Sequence, residues 1–255
     1  IEDYKRARSR ARHRRKGWKR WRPVKPATVN RELACIKIVF RKAVEWGRIE
    51  HSPAVGVKQL REVPNPPRLL EMEEICRLLD ALPDRLRALV GVVVYAGLRQ
   101  AEVFRLRWED VNLKDGELEV ISRDGGTTKS YRSRRIPINP ALERLLRQHP
   151  RRLGCELVFP NEVGQVRNNI NTALKFACQR AGIPEQVRMH QLRHAFCSHS
   201  LMAGVDPRTV MQWMGHRDLR TTLGDAHVSP SHEKSAIQRL RYDSGHYMDT
   251  RAGTA

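Results

Sequence analysis

The sequence contains no apolar run long enough to cross a membrane. A membrane-spanning helix needs about 20 consecutive apolar residues, and none of the 255 residues lies in such a run. The N-terminus is basic, but no apolar segment follows it, so it does not match a secretory signal peptide. We therefore expect a protein of the cytoplasm that does not associate with membranes.

Cysteine is also scarce. The five cysteines are scattered along the chain: Cys35, Cys76, Cys155, Cys178 and Cys197. Their number is odd and no Cys-x-x-Cys pair occurs, so we expect neither a zinc site nor a disulfide framework. Each cysteine is expected to pack as a small apolar side chain, and no metal or cofactor is expected.

Acidic residues are too few to balance the basic ones. The 48 lysines and arginines face 28 aspartates and glutamates, which gives a formal net charge of +20. A surplus of this size lies on the surface and most commonly neutralises phosphates. An anionic membrane surface or an acidic protein partner would also fit the charge, but we predict a nucleic acid and expect localisation at the nucleoid.

The basic residues are densest between positions 5 and 22, where Trp18 and Trp21 interrupt the run. Such a run is either a disordered, solvated tail or an arm or loop that contacts DNA phosphates. The two tryptophans favour the DNA-contacting interpretation. The DNA-binding candidates in and after this run are Arg14, Arg15, Lys16, Lys19, Arg20, Arg22, Lys25 and Arg31.

Helical periodicity begins near Thr28, a plausible N-cap that follows Pro26, and Gly47 closes the segment. One predicted helical face contains Leu33, Ile36, Val39, Phe40 and Val44. The prolines at 64, 66 and 67 then break regular structure. We predict a first domain over 1–62, a linker over 63–68, a second domain over 69–243 and a tail over 244–255.

The second domain is predicted to be mainly α with one small antiparallel sheet, an α+β fold. Helical patterns cover 70–74, 85–95, 141–147, 170–181, 190–202 and Pro207–Met214. Residues 111–138 alternate as strands do and contain a turn at Gly125 and Gly126. This pattern predicts about three strands.

Four short segments of this domain offer basic or imidazole groups: AGLRQAEVFRLRWEDV, TTKSYRSRRIPI, HQLRHAFCSHSLMAGV and MGHRDLRTTLGDAHVS. Alone, each group has a simple explanation. Arg99 fits a charge on a helix surface, Lys129 a turn lysine, and His216 a histidine next to a glycine.

Together, the order, spacing and flanking residues of these segments resemble the tyrosine recombinase family of phage integrases and chromosome-dimer-resolving recombinases. The resembling motifs are Ala-Gly-Leu-Arg-x-x-Glu, a lysine in a β-hairpin, His-x-x-Arg and Gly-His. The resemblance covers nearly the whole chain. It implies a two-domain clamp around double-stranded DNA, whose first domain is the C-terminal part of a helical core DNA-binding domain.

The resemblance also implies the roles of individual residues. Arg99 and Arg193 would clamp the scissile phosphate, since guanidinium groups match phosphate oxygens. Lys129 would protonate the leaving 5′ oxygen, and His190 would take the proton of the nucleophile. His216 would hydrogen-bond the phosphate, while Glu102 would support Arg99.

The nucleophile departs from the family pattern. The family has a tyrosine nine residues after the Gly-His histidine, and this chain has Asp225 there, in Thr-Thr-Leu-Gly-Asp-Ala-His. Aspartate is shorter than tyrosine, is ionised near neutral pH and would be drawn to the arginines. Attack by Asp225 itself, or by Tyr242 or Tyr247 from a rerouted tail, remains an alternative.

Two functions from different classes therefore remain. The chain is either a site-specific recombinase, homotetrameric on DNA and weakly associated or monomeric without it, or a DNA-binding protein that occupies or regulates recombination sites without cutting. An RNA-binding protein would fit the charge but not the motif set. We favour a recent or deliberate loss of the tyrosine, because the other catalytic residues are present. The chain begins without a methionine, and we expect a preceding segment.

Overall fold

The computed structural model describes residues 1–14, 20–63, 68–121 and 133–225, with the backbone alone at Asp225. Within these ranges it contains ten α-helices and five short strands. The chain divides into two compact units, unit 1 (Ile1–Pro66) and unit 2 (Pro67–Ala255). The fold is mainly helical with small antiparallel sheets, which confirms the predicted fold class.

Unit 1 consists of two helices that flank a short strand pair. The helices are α1 (Glu2–Arg10) and α2 (Pro26–Glu45). Strand β1 (Arg12–His13) pairs antiparallel with β2 (Arg22–Pro23). A small core forms from Val24, Val29, Leu33 and Val57.

The first part of the basic run is helical, so the expectation of a tail, arm or loop from residue 5 was wrong for residues 5–10. Acidic residues begin α1 and arginines end it, an order that the helix dipole favours. Arg8 donates from Nε and Nη2 to the carboxylate of Glu32 on α2, at 2.9 and 2.8 Å. Tyr4 donates to the same carboxylate at 3.0 Å. These contacts fasten α1 to α2.

Helix α2 begins earlier than predicted. Lys25 is the N-cap and Pro26 the first helical residue, so the predicted cap at Thr28 was wrong. Proline suits the first turn because its φ is already helical and its missing N–H has no partner there. Gly47 follows the helix in the left-handed conformation.

The predicted apolar face of α2 is only partly buried. Leu33 lies in the core, but Val39 is 64% exposed and Val44 is also exposed. The buried positions are Val29, Asn30 and Leu33. The face is therefore buried near the N-terminal end of the helix alone, where the residues around Val57 cover it.

Unit 2 contains the remaining elements. Its helices are α3 (Met72–Asp80), α4 (Asp84–Ala96), α5 (Gln100–Phe104), α6 (Pro140–Gln148), α7 (Asn171–Arg180), α8 (Met189–Met202), α9 (Pro207–Met214) and α10 (Leu219–Asp225). Its strands are β3 (Val111–Asn112), β4 (Glu117–Val120) and β5 (Arg134–Pro137), which form an antiparallel sheet in that order. The short helices α5 and α10 were not predicted.

Helix α4 is the centre of unit 2. Nine of its 13 residues are buried, and it packs against α3, α5, α6 and α8. A helix that is apolar on nearly all sides must be surrounded by other elements. Its C-terminal end is consequently held firmly, and Arg99 follows that end by three residues.

No helix in the described parts of the chain is both long and apolar enough to cross a membrane. Cys178 and Cys197 are buried and Cys155 is half-buried, but Cys35 and Cys76 are exposed. The expectation that every cysteine packs was wrong for these two residues, which lie on the solvent side of α2 and α3.

Asn30 ties the last described residues of unit 1 to α2. Its side-chain nitrogen donates to the Leu60 carbonyl at 2.9 Å and to Glu62 at 2.6 Å. Its side-chain oxygen accepts from the Leu60 backbone N–H at 2.7 Å. Residues 60 and 62 therefore belong to the first unit, before the predicted linker begins at 63.

Replacing Asn30 with alanine should release this segment. The backbone groups of Leu60 would lose their partners, at a cost of about 2 kcal/mol. Amide exchange of the 58–62 segment should accelerate roughly 30-fold, the rate equivalent of about 2 kcal/mol. The matched control is Thr28→Ala, an exposed position of the same helix. Equal exchange in the two variants would contradict a structural role for Asn30.

Candidate active site

The end of α4 positions Arg99. Gly97 ends the helix in the left-handed conformation, with a φ of 65°, which glycine adopts without strain. A Cβ at this position would overlap the ring of Phe196. Arg99 is then the N-cap of α5, and its backbone N–H donates to the Glu102 carboxylate at 2.8 Å.

The carboxylate of Glu102 lies between two guanidinium groups. Arg99 donates from Nη1 to Oε1 at 3.0 Å, while Arg134 donates from Nη1 to Oε1 at 3.1 Å and from Nη2 to Oε2 at 2.7 Å. The side chains of Glu102 and Arg134 are 3% and 8% exposed, but that of Arg99 is 28% exposed. Arg134 is therefore a buried partner, and Arg99 retains access to solvent.

Three consecutive carbonyl groups at the C-terminal end of α9 accept hydrogen bonds from three different arginines. Arg134 donates to the Trp213 carbonyl at 2.6 Å, Arg193 to that of Met214 at 2.6 Å, and Arg99 to that of Gly215 at 2.9 Å. The last carbonyls of a helix lack intrahelical partners and lie at the negative end of its dipole. The arginines satisfy these carbonyls, and the end of α9 in turn fixes the arginines.

Arg193 and His216 form the inner part of the cluster. Arg193, on α8, is 3% exposed and also donates to the Gly97 carbonyl. Its Nη2 lies 3.0 Å from His216 Nε2, and His216 Nδ1 lies 2.9 Å from the Thr222 hydroxyl on α10. Because guanidinium groups only donate, Nε2 accepts in this arrangement and Nδ1 carries the proton.

Gly215 is needed where these contacts meet. It has a φ of 63°, and a Cβ on this residue would lie 3.0 Å from Nη1 of Arg134. The Gly-His motif therefore combines a left-handed turn with close packing of an arginine. His216 follows directly and lines a cleft of about 750 Å³ together with Arg134, Arg135 and Arg217.

The pKa of Glu102 is lowered. Burial raises it, but the hydrogen bonds and charge of Arg134, followed by the backbone N–H and charge of Arg99, lower it by more. The carboxylate therefore stays ionised inside the protein. It gives the two arginines a fixed negative partner, which suits a supporting residue better than a proton donor.

Helix α8 also contains His190. This residue is exposed in the first turn of α8, and its ring packs edge-on against that of His194, with 4.2 Å between the centroids. Arg193 on the same helix is buried. The two residues lie three positions apart on α8 and so on the same side of the helix, and a common site for them remains a prediction.

The side chains of four candidate catalytic residues lie outside the described parts of the chain. Lys129 lies outside the described residues. The backbone of residue 225 ends α10 and lies one helical turn beyond Thr222, but its side chain is outside the description, as are Tyr242 and Tyr247. Among the described residues, no three His, Cys, Asp or Glu side chains gather as a metal site requires.

The DNA-binding candidates of unit 1 lie on its surface as far as they are described. Arg14, Arg20, Arg22, Lys25 and Arg31 are exposed. The guanidinium of Arg14 lies 5.8 Å from the ring centroid of Trp21. Arg15, Lys16, Lys19 and Trp18 lie outside the described residues. Whether any of these residues contacts DNA remains a prediction.

Arg134 and Thr222 were not identified from the sequence. A signal for Arg134 was available, since it alternates with the buried Ile136 on β5 and so shares the inward face of the strand. An inward arginine requires buried hydrogen-bond acceptors, of which a carboxylate is the strongest. Thr222 gave no comparable signal, because threonine is common on helix surfaces.

Comparison with known proteins identifies the family. The family model described as "Phage integrase family" matches residues 68–232, which include the whole arginine cluster. The chain belongs to the phage integrase family. The tyrosine recombinase assignment made from the four motifs is thereby confirmed.

Relatives and solved structures of this family extend over most of the chain. The chain is 28% identical to tyrosine recombinase XerC of Xanthomonas campestris over 88% of this chain and 70% of that protein. It is 27% identical to XerD of Listeria innocua over 84% and 76%. The XerA recombinase has a TM-score of 0.62 at 22% identity, covering 86% of this chain and 84% of that chain. The Tn1549 transposon integrase reaches 0.69 at 17%, covering 85% and 80%. At these identities the two structures establish the fold alone.

Removing the buried partner of Glu102 should destabilise unit 2. In an Arg134→Met variant the Glu102 carboxylate would retain Arg99 as its one guanidinium partner. We expect the free energy of unfolding to fall by about 3 kcal/mol. Urea-induced unfolding measures the loss. The control, Arg147→Met, breaks the exposed pair with Glu143 and should change stability by less than about 0.5 kcal/mol. Similar losses in both variants would contradict a special role for the buried pair.

The lowered pKa of Glu102 predicts a specific pH dependence. Its stabilising effect is present above the ordinary pKa of 4.5 and is lost as the pH falls through the lower folded value. The stability difference between the chain and a Glu102→Gln variant should therefore be constant near neutral pH and shrink as the pH falls below the ordinary value of 4.5. Urea unfolding at several pH values tests this, and a difference that stays constant would argue against the ionised carboxylate.

Proposed function

We propose that this chain is a site-specific DNA recombinase or integrase that cannot cleave DNA because Asp225 replaces the nucleophilic tyrosine. The observation that supports it most strongly is the joint fixation of Arg99, Arg193 and His216 around the end of α9. These are three of the residues that the family motifs nominate for phosphate chemistry. They come from segments up to 117 positions apart in the sequence.

The proposed reaction is a phosphoryl transfer without water. A tyrosine oxygen would attack the phosphorus in line, form a 3′-phosphotyrosyl bond and release the 5′ oxygen. One phosphodiester replaces another, so the bond energy is retained for rejoining to a new 5′ hydroxyl. Strand exchange follows when that hydroxyl belongs to the partner DNA.

The described residues fit the electrostatic part of this reaction. Negative charge grows on the nonbridging oxygens, and positioned guanidinium groups stabilise it where water is excluded. Arg99 is the more accessible of the two clamp arginines, and Glu102 and the Gly215 carbonyl orient it. Arg193 is buried and contacts His216. We propose that Lys129 donates a proton to the leaving 5′ oxygen and that His190 accepts the proton of the nucleophile.

Asp225 is a poor replacement for tyrosine. Its carboxylate is ionised near neutral pH, is attracted to the arginines and has a shorter reach. Attack by aspartate would give an acyl phosphate, a labile bond that would be hydrolysed before rejoining. We therefore propose that the chain binds DNA and leaves it intact. Tyr242 and Tyr247 are the remaining alternative nucleophiles.

The assembly follows from the same proposal. We propose a homotetramer on two DNA sites, with weaker association in the absence of DNA, acting in the cytoplasm on DNA of the nucleoid. Solved relatives in complex with DNA include the XerH recombinase with its palindromic difH substrate after cleavage and a λ integrase dimer on a core site. Association with a mobile genetic element is part of the proposal.

A second function is favoured by one observation, the aspartate itself. A member of the family without the tyrosine could occupy recombination sites, or regulate an active partner, through DNA binding alone. This alternative uses the same fold and the same basic surface. The two functions differ in what a tyrosine at position 225 would achieve.

The discriminating experiment restores the tyrosine. The chain, an Asp225→Tyr variant and an Asp225→Phe variant are each incubated with a labelled DNA site selected for binding. Covalent adducts are scored on a denaturing gel. We expect an adduct from Asp225→Tyr alone, since the phenylalanine variant has the ring but no hydroxyl.

Other outcomes would change the assignment. If no variant forms an adduct despite tight DNA binding, the non-catalytic alternative gains support. If the unmodified chain forms one, the nucleophile is Asp225, Tyr242 or Tyr247, and the proposed deficiency is wrong. Addition of Arg99→Gln to the tyrosine variant should abolish the adduct if Arg99 clamps the phosphate.

A further inference from the structure

Unit 2 contains a second basic pocket that shares no residue with the candidate active site. It has a volume of about 320 Å³ and is lined by residues of α4, of the segment after α6 and of the loop before α7. Its charged lining residues are Arg85, Arg152, Arg167 and Glu162. Three cations against one anion give this pocket a positive balance.

Arg167 is the most unusual of these residues. It is partly buried, and its Nε is buried without a hydrogen-bond partner among the described residues. Burial lowers the pKa of Arg167, and the nearby charge of Arg85 lowers it further. A buried donor without a partner and a cation next to another cation are both unfavourable. An oxyanion in the pocket would relieve both.

Arg152 and Arg85 border the pocket in different ways. Arg152 donates to the backbone carbonyl of Glu162 at 2.7 Å, which orients its guanidinium along the loop. Arg85 lies 3.7 Å from the Glu162 carboxylate, in a pair whose side chains are 62% and 81% exposed. Exposed pairs of this kind are weak, so Glu162 does not neutralise the pocket.

His149 adds a second buried polar atom without a partner. Its Nε2 lies 2.9 Å from the Val158 carbonyl, and a carbonyl only accepts, so Nε2 carries the proton. Nδ1 is then an acceptor, and it is buried with no partner among the described residues. Arg167 and His149 both line the pocket, and the one has a buried donor and the other a buried acceptor without a partner among the described residues. Hydrogen phosphate offers both an acceptor oxygen and a hydroxyl donor.

We propose that the pocket of Arg85, Arg152, Arg167 and His149 binds a phosphate-class oxyanion. The source is either free phosphate or a phosphate of the DNA that the proposed function supplies. The DNA source rests on that proposed function, whereas binding of free phosphate does not. Gln100, the neighbour of Arg99, donates to the carbonyl of Asn168 at 3.4 Å, so the residue after Arg167 contacts the residue after Arg99.

The test follows the Nε–H signal of Arg167 in the full chain labelled with ¹⁵N-arginine. An Arg167→Lys variant assigns the signal, and inorganic phosphate is titrated at constant ionic strength against chloride. We expect a saturable shift with half-saturation in the millimolar range. The shift should persist in Arg99→Gln, which alters the candidate active site, and disappear in the double variant Arg85→Gln/Arg152→Gln. An Arg167 signal that does not respond to phosphate, or a shift abolished by Arg99→Gln, overturns the proposal.

DNA binding then identifies the source of the phosphate. Arg167→Gln is compared with Arg144→Gln, which removes an equal charge from an exposed position of α6. The measured quantity is the slope of the logarithm of the DNA-binding constant against the logarithm of the salt concentration. If the DNA backbone fills the pocket, the magnitude of this slope should fall by about one in Arg167→Gln and by less in Arg144→Gln. If the unmodified chain shows the phosphate shift and Arg167→Gln leaves the salt dependence of DNA binding unchanged, the pocket is assigned to free phosphate. If the chain shows the phosphate shift but binds no DNA, the phosphate-binding pocket is supported and the proposed function is contradicted.

Discussion

Two arginines from distant parts of unit 2 share one buried carboxylate. Glu102 lies between Arg99 and Arg134, with hydrogen bonds of 2.7–3.1 Å, and the other features of the site depend on this arrangement. A buried carboxylate is stable only when it is paired, so Glu102 requires its partners. The Glu102 carboxylate in turn holds Arg99, which follows the end of α4. Through Arg134 it also connects β5 to this end of the helix.

The end of α9 is the second part of the arrangement. Its last carbonyls attract the three arginines by charge and by unsatisfied hydrogen-bonding capacity, and Gly215 permits the close approach. His216 comes directly after these carbonyls, and its contact with Thr222 extends the order to α10. The backbone of residue 225 therefore follows a segment whose position the cluster determines.

Local sequence patterns predicted the elements of unit 2 well, and contacts between distant residues explain what they missed. Helices α4, α6, α7, α8 and α9 and the three-stranded sheet follow from apolar periodicity. Arg99, Arg193 and His216 were recognised from short motifs. The contact of Arg99 with the Gly215 carbonyl joins residues 116 positions apart, and that of Arg134 with Trp213 joins residues 79 apart. No local pattern contains such pairings. Helix α1 was missed for a similar reason, because Arg8 on this helix is paired with Glu32, which lies 24 residues later in the chain.

The most decisive measurement is a crystal structure of this chain bound to its selected DNA site. It should show a single phosphate about 3 Å from the Arg99 guanidinium, with Glu102 still between Arg99 and Arg134 and the DNA strand uncut. DNA held with no phosphate at Arg99, or with Glu102 separated from both arginines, would contradict the role given to this cluster.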